Sequence, residues 1–411
     1  MNRIFNIAGP CNPKKHYMID ALRRLGKDIF QLIDLEQYFV IHAARQSGKT
    51  TLLLELTRIV NKEGKYHALY CSLENAQAAA DAAEGIPTII NSIQNALEGY
   101  DLPNARLFQK DININDHLNS LQMALTNYCR SLDKPLVLFF DEADCLSGQT
   151  LISFLRQLRN GYVNRENIPF IHSLALVGMR NIRDYRDEYR LPEKTLGSAS
   201  PFNITAASMT LQNFSQKEVE DLYYQHTVET GQKFNLDAID LVWMQTQGQP
   251  WLVNAIAREI VMNMTDDDPK RTITADMVSP AIQTLILRRD THFDSLLARL
   301  REERVRSIIE PVLTGDIGEL IIDSDDYSYV KDLGLIRDDL GKIEPANPIS
   351  GDIIVRALNK TTQKEMESVM LSPSEIKDKA RKLEVQNLKF RTFLKNRADD
   401  DELDAQSAPI I

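Results

Sequence analysis

Cysteine is scarce in this chain, four residues in 411, and Cys11, Cys71, Cys129 and Cys145 are scattered with no CxxC pair and no metal-ligand spacing. That scarcity excludes a disulfide-built scaffold and a cysteine-ligated metal site, so reduced and mostly buried thiols are expected. Long apolar runs are also lacking. Nothing approaches the roughly 18 residues of a membrane span, and the apolar run in MNRIFNIAGPCNPKK is too short for a signal peptide. A cytoplasmic protein without a membrane partner is the expectation. Cations are in deficit, 48 Lys and Arg against 58 Asp and Glu for a net charge of -10. The surface as a whole therefore cannot hold duplex nucleic acid by charge, and such a contact would need a local basic patch. Internal repeats and low-complexity tracts are absent. With 43% hydrophobic and 26% charged residues, the composition is that of globular chains long enough for two or three domains.

Between residue 38 and about residue 180, short β-rich runs alternate with longer helical patterns. The runs are YFVIHA (38–43), YHALYCSL (66–73), PLVLFFDE (135–142) and HSLALVGM (172–179), with helical stretches at 49–62, 75–99, 115–131 and 149–161. Near-continuous apolar strands separated by helices predict a doubly wound α/β domain, a parallel sheet covered on both faces.

The segment YFVIHAARQSGKTT (38–51) passes from strand through a glycine-containing loop into a helix. This is the context required of a phosphate-binding loop of the form GxxxxGK[ST], with Ala43 standing where the pattern has its first glycine. Backbone N–H groups of Ala44, Arg45, Gln46, Ser47, Gly48, Lys49 and Thr50 would wrap a β-phosphate at the positive end of the following helix. Gly48 lets the backbone approach closely. Lys49 reaches the β- and γ-phosphates, and Thr50 offers its hydroxyl to Mg2+.

Downstream, the apolar run 136–140 leads straight into Asp141 and Glu142. Two adjacent carboxylates at the exit of a buried strand are costly unless a cation lies nearby, and a nucleotide-bound Mg2+ supplies one. Asp141 is the expected metal residue and Glu142 the base that orients and deprotonates the attacking water. On their own the two could equally cap the next helix; together with the loop they point to ATP hydrolysis. Arg180, at the end of the fourth strand, is placed by topology to sense the γ-phosphate, or to pair with Asp184. Arg156 and Arg159 share one turn after the acidic pair, either as a finger reaching a neighbouring subunit or as a solvated helix face.

Beyond residue 200 the texture turns helical. Ser215 and Glu218 form a capping box, and Gly248 with Pro250 breaks one helix and starts the next. Between 290 and 358, helices are followed by GLIRDDLGKIEP, a hairpin turning at 339–341, the pattern of a winged helix. The predicted boundaries are an ATPase core at 1–204, a helical lid at 205–288, a winged helix at 289–358 and a polar, partly disordered tail at 359–411. Within that tail, KDKARKLEVQNLKFRTFLKNR (377–397) carries eight cations and two phenylalanines. It suits a nucleic-acid backbone, or equally an amphipathic helix docking on a partner or on the chain's own acidic core.

The stretches FNIAGPCNPKKHYMI, YFVIHAARQSGKTT, LVLFFDEAD, GQPWLVNAIA and YVKDLGLI…IEPANPI resemble the AAA-like, STAND-related prokaryotic P-loop ATPases. The resemblance covers most of residues 5–358 and implies a core ATPase, a helical lid and a winged helix. It assigns the phosphate loop to residues 43–51, adding Thr51, and Asp141 and Glu142 to the acidic motif, and it matches Arg180 to a sensor arginine. It likens 248–250 to an element that brings Pro250 and a lid helix over the nucleotide, and it makes Tyr17 and Met18 candidates for packing on the base. Nuclease activity, carried by some relatives, is not expected here. The function implied is Mg2+-dependent ATP binding and hydrolysis driving a conformational switch between core, lid and winged helix. Two other functions stay open: a nucleotide-gated scaffold with negligible hydrolysis, and a DNA-acting ATPase. A protein partner or self-association is expected beside ATP and ADP.

Overall fold

The computed structural model describes residues 2–179, 204–288, 291–315, 324–339 and 341–368. Five strands make one parallel sheet: β1 (Tyr38–His42), β2 (His67–Ser72), β3 (Leu136–Asp141), β4 (Ser173–Gly178) and β5 (Thr205–Thr210), in the order β2-β3-β4-β1-β5. Helices α1 (Ile29–Asp34), α2 (Lys49–Glu63), α3 (Ala82–Gly99), α4 (Ser120–Ser131), α5 (Gly148–Asn164) and α6 (Gln216–Thr230) accompany it.

Alternate strand residues go to opposite faces, as the period of two demands. Leu138, Phe140, Leu174 and Leu176 join α3, α4 and α5 in one core. Val137, Phe139, Ala175 and Val177 join α1 and α2 in the other. The doubly wound α/β expectation is met. The first four strands follow the apolar runs: β1, β3 and β4 are buried at every position and β2 at three of six, and a sheet covered on both faces calls for near-continuous apolar strands.

The fifth strand corrects the sequence reading, in which the chain turns helical beyond residue 200. TAASMT is short and polar, and only Met209 of its residues is buried. Among the described residues it pairs with β1 alone, at the edge of the sheet, and its other residues are exposed or half-buried, so no apolar run marks it in the sequence.

The chain divides into two compact units, residues 1–230 with 249–254, and residues 231–248 with 255–411. The second contains α7 (Leu236–Thr246), α9 (Ala275–Arg288), α10 (Thr291–Arg299), α11 (Glu303–Thr314), α12 (Asp325–Asp332), α13 (Pro348–Ser368) and a π-helical turn, Glu259–Met264. Helix α8 (Pro250–Arg258) contributes its first five residues to the first unit and the rest to the second. Strands β6 (Ile336–Asp339) and β7 (Lys342–Pro345) form an antiparallel hairpin with Asp339 opposite Lys342, and the hairpin falls where the sequence predicts one. Within this unit Glu259, 5% exposed, is paired with Arg288 at 2.8 Å, and Arg337 bonds Glu344 at 2.8 Å and the Gln247 side chain.

Candidate active site

Strands β1, β4 and β3 run parallel and adjacent, so the loops leaving β1 and β3 emerge on the same edge of the sheet. Ligands of open α/β folds gather at that carboxyl edge. Gly48 caps α2 with φ +97°, a left-handed conformation that strains any residue with a Cβ. Helix α2 then buries Leu52, Leu53, Leu56 and Val60 against the sheet, and this packing fixes its amino-terminal end beside β3.

Lys49 is 6% exposed, and its Nζ donates to the carbonyls of Ala43 at 2.8 Å and Ala44 at 3.1 Å. The lysine thus bends back over its own loop, with its charge satisfied by carbonyl dipoles. The Thr50 hydroxyl donates to Asp141 Oδ2 at 2.7 Å. Loop and acidic pair, 91 residues apart in sequence, therefore meet directly. Asp141, 1% exposed, also accepts from the Tyr70 hydroxyl at 3.1 Å, and its Oδ1 accepts from the Glu142 N–H at 3.0 Å. Glu142 has φ +55°, an unfavourable backbone for a non-glycine residue, as strained functional turns often show.

The electrostatics follow from burial. Desolvation pushes the Glu142 carboxyl above the ordinary carboxylate range, opposed by the charge of Lys49. It pulls the Lys49 ammonium down, opposed by Glu142, Asp144 and Asp141. Burial, followed by the neighbouring Asp141 charge, raises Tyr70 and keeps its hydroxyl a donor.

Around this centre the remaining candidates are dispersed. Thr51 Oγ1 accepts from the Cys11 N–H at 3.0 Å, while Trp251 Nε1, in the first turn of α8, donates to the Ile7 carbonyl at 2.9 Å. Four residue steps of chain reach at most about 14 Å, so the segment from Ile7 to Cys11 keeps the start of α8, with buried Pro250, close to the start of α2. Tyr17 is 1% exposed, in a ring cluster with Phe5 and His226. Its hydroxyl lies 3.2 Å from His226 Nδ1. Arg45 and Arg156 are exposed, and Gln46 and Arg159 half-buried. Arg180 and the basic stretch 377–397 lie outside the described residues.

Three groups that the motifs did not mark join the site. Tyr70 could have been noticed as the polar residue near the exit of an apolar strand. Asp144, the last carboxylate of DEAD, accepts from the Met179 N–H at 3.0 Å through Oδ2. Its Oδ1 is buried with no hydrogen-bond partner among the described residues. Arg24 bonds the loop carbonyl of Ser47 at 2.7 Å, and nothing local in sequence announces this.

The donor set suits a hard cation. Thr50 Oγ1 and Asp141 Oδ2 are two oxygens at one place, the small protein contribution typical of Mg2+, which keeps waters and substrate phosphates as its other ligands. Among the described residues no cluster of three or more His, Cys, Asp or Glu could hold a metal by itself.

A parallel sheet of this order, with a Gly-Lys-Thr loop after β1 and an acidic pair at the end of β3, is the fold of the P-loop class. The model of the AAA-like domain matches residues 33–337, and the chain belongs to that family. Among solved structures it is similar to a Walker-type ATPase of Pyrococcus abyssi, with TM-score 0.56 and 13% identity over 85% of this chain and 99% of that one. It also matches the RuvB Holliday junction branch migration motor of Thermotoga maritima, with TM-score 0.39 and 12% identity over 77% and 88% of the two chains. A third match is the Orc1 protein of Aeropyrum pernix, solved in complex with DNA, with TM-score 0.41 and 12% identity over 83% and 91%. No curated protein matches the sequence. Among the described residues no helix is long and apolar enough to cross a membrane.

Proposed function

We propose that this chain is a Mg2+-dependent ATPase whose hydrolysis step works a conformational switch. The observation that carries the reading is the 2.7 Å contact of Thr50 with Asp141, which joins the phosphate loop to the acidic pair. The loop amides and Lys49 bind the polyphosphate, Lys49 exchanging its hydrogen bonds to Ala43 and Ala44 for the β- and γ-phosphates. Mg2+, held by Thr50 and Asp141, would supply charge neutralisation on the transferred phosphoryl group. Tyr70 orients the Asp141 carboxylate. Glu142 takes the proton of the attacking water. Arg180 is proposed as the γ-phosphate sensor, with Asp144 steadying the chain just before it. Pro250 is proposed to line the nucleotide site.

Helices α7 to α9 support the lid reading. Helices α10 to α12 with the β6–β7 hairpin support the winged helix, and both are proposed as the parts that respond to hydrolysis. Steady-state phosphate release from ATP and Mg2+ tests the proposal. Wild type is expected to turn over, and Lys49→Ala to fall to background. Turnover equal in the two proteins would refute the catalytic assignment. ATP at about 100 times its Kd should stabilise the wild type by roughly 2.7 kcal/mol. Stabilisation without turnover would instead identify a nucleotide-gated scaffold.

A further inference from the structure

Arg24 is a buried cation, 5% exposed, in the short turn Ala21–Leu25 ahead of β1. Its Nε donates to the Gln212 carbonyl at 2.8 Å and its Nη2 to the Ser47 carbonyl at 2.7 Å. The Gln212 N–H returns a bond to the Arg24 carbonyl at 3.0 Å. The guanidinium carbon lies 4.8 Å from the centre of the Phe214 ring, and Nη1 is 3.5 Å from where a Cβ on Gly48 would stand. Burial lowers its pKa to about 10, so it stays ionised at neutral pH. A cation is expensive to bury, and this one is held by two carbonyls and an aromatic face, one of those carbonyls belonging to the phosphate loop itself.

In a planar trans peptide the C=O and N–H point in opposite directions. Drawing the Ser47 carbonyl toward Arg24 therefore turns the Gly48 N–H away from Arg24. Released, the same peptide could present its carbonyl to a phosphate and repel it. We infer that Arg24 is a positioning residue for nucleotide binding: it locks the Ser47–Gly48 peptide so that the loop offers an N–H to the polyphosphate, and it ties that lock to residues 212–214, between β5 and α6. This rests on the ATPase reading above and adds to it a residue outside the recognised motifs.

The test compares wild type, Lys49→Ala, Arg24→Met, Arg24→Ala and Arg24→Lys by titration with ATP and with inorganic tripolyphosphate, beside their melting temperatures without ligand. Loss of one charged hydrogen bond is expected to raise Kd roughly tenfold or more in Arg24→Met and Arg24→Ala, for both ligands. Soluble guanidinium is expected to restore affinity in Arg24→Ala, which repair of general packing would not do. If those two variants do not fold, Arg24→Lys decides. A Kd raised severalfold at an unchanged melting temperature supports the inference, and a wild-type Kd overturns it. Wild-type affinity in Arg24→Met, or lost affinity that guanidinium does not restore, also overturns it. Should wild type and Lys49→Ala both fail to bind ATP, the ATPase reading itself falls, a result distinct from any of these.

Discussion

In the proposed mechanism Glu142 has the most demanding role of any single residue. Replacing it with Gln keeps size and hydrogen bonding but removes the base. The expected loss in kcat is on the order of 10²- to 10⁴-fold with ATP binding retained, measured by phosphate release beside nucleotide titration. A fall in kcat below a few fold would remove Glu142 from the chemistry. Its pKa is raised by burial, so the active carboxylate is lost on acidification at a higher pH than for an ordinary glutamate. The kcat profile should drop on its acid side, and that limb should vanish in Glu142→Gln. Stability runs the other way. A carboxyl with a raised folded pKa favours folding while protonated, and that contribution is lost as pH climbs through the folded pKa.

At the scale of elements, capping and close packing decide where helices start and how near they lie. Helix α6 starts at the expected capping box: the Glu218 N–H donates to Ser215 Oγ at 3.3 Å and the Ser215 N–H to Glu218 Oε2 at 2.8 Å. Ser215→Ala should cost about 1 kcal/mol in chemical denaturation. In α5, a Cβ on Gly161 would come within 2.2 Å of the Phe170 ring, and Phe170 is buried in the core. Gly161→Ala is therefore expected to destabilise by roughly 1–3 kcal/mol or more by overpacking, and a neutral result would mean that the ring moves aside freely.

On the scale of the whole molecule, Cys11, Cys71, Cys129 and Cys145 are all free. No covalent bridge holds either unit, and the sheet with its two apolar cores accounts for the first. Adding a thiol reductant should leave the melting temperature unchanged, whereas a drop of several degrees would reveal a disulfide the structure does not contain. Burial pushes Cys71 and Cys129 up to about 12, so both should resist alkylation until the protein unfolds.

Four strands, the phosphate loop and the acidic pair could be read along the chain because each is a local signal. A strand covered on both faces is near-continuously apolar, and the phosphate-loop pattern places glycine, lysine and threonine in immediate succession. β5 escaped that reading, since an edge strand supported by β1 on one side can be built from TAASMT. Tyr70, Asp144 and Arg24 escaped it for a different reason: their roles come from partners distant in the chain. Arg24 meets Gln212 across 188 positions and Ser47 across 23, and no periodicity or spacing encodes such a meeting. The amino-acid order thus determined which residues are proposed to bind a polyphosphate and cut it. Only the tertiary structure decided that Thr50 and Asp141 share a hydrogen bond and that a buried arginine braces the loop, because long-range contacts arise when parallel strands bring separate loops to one edge.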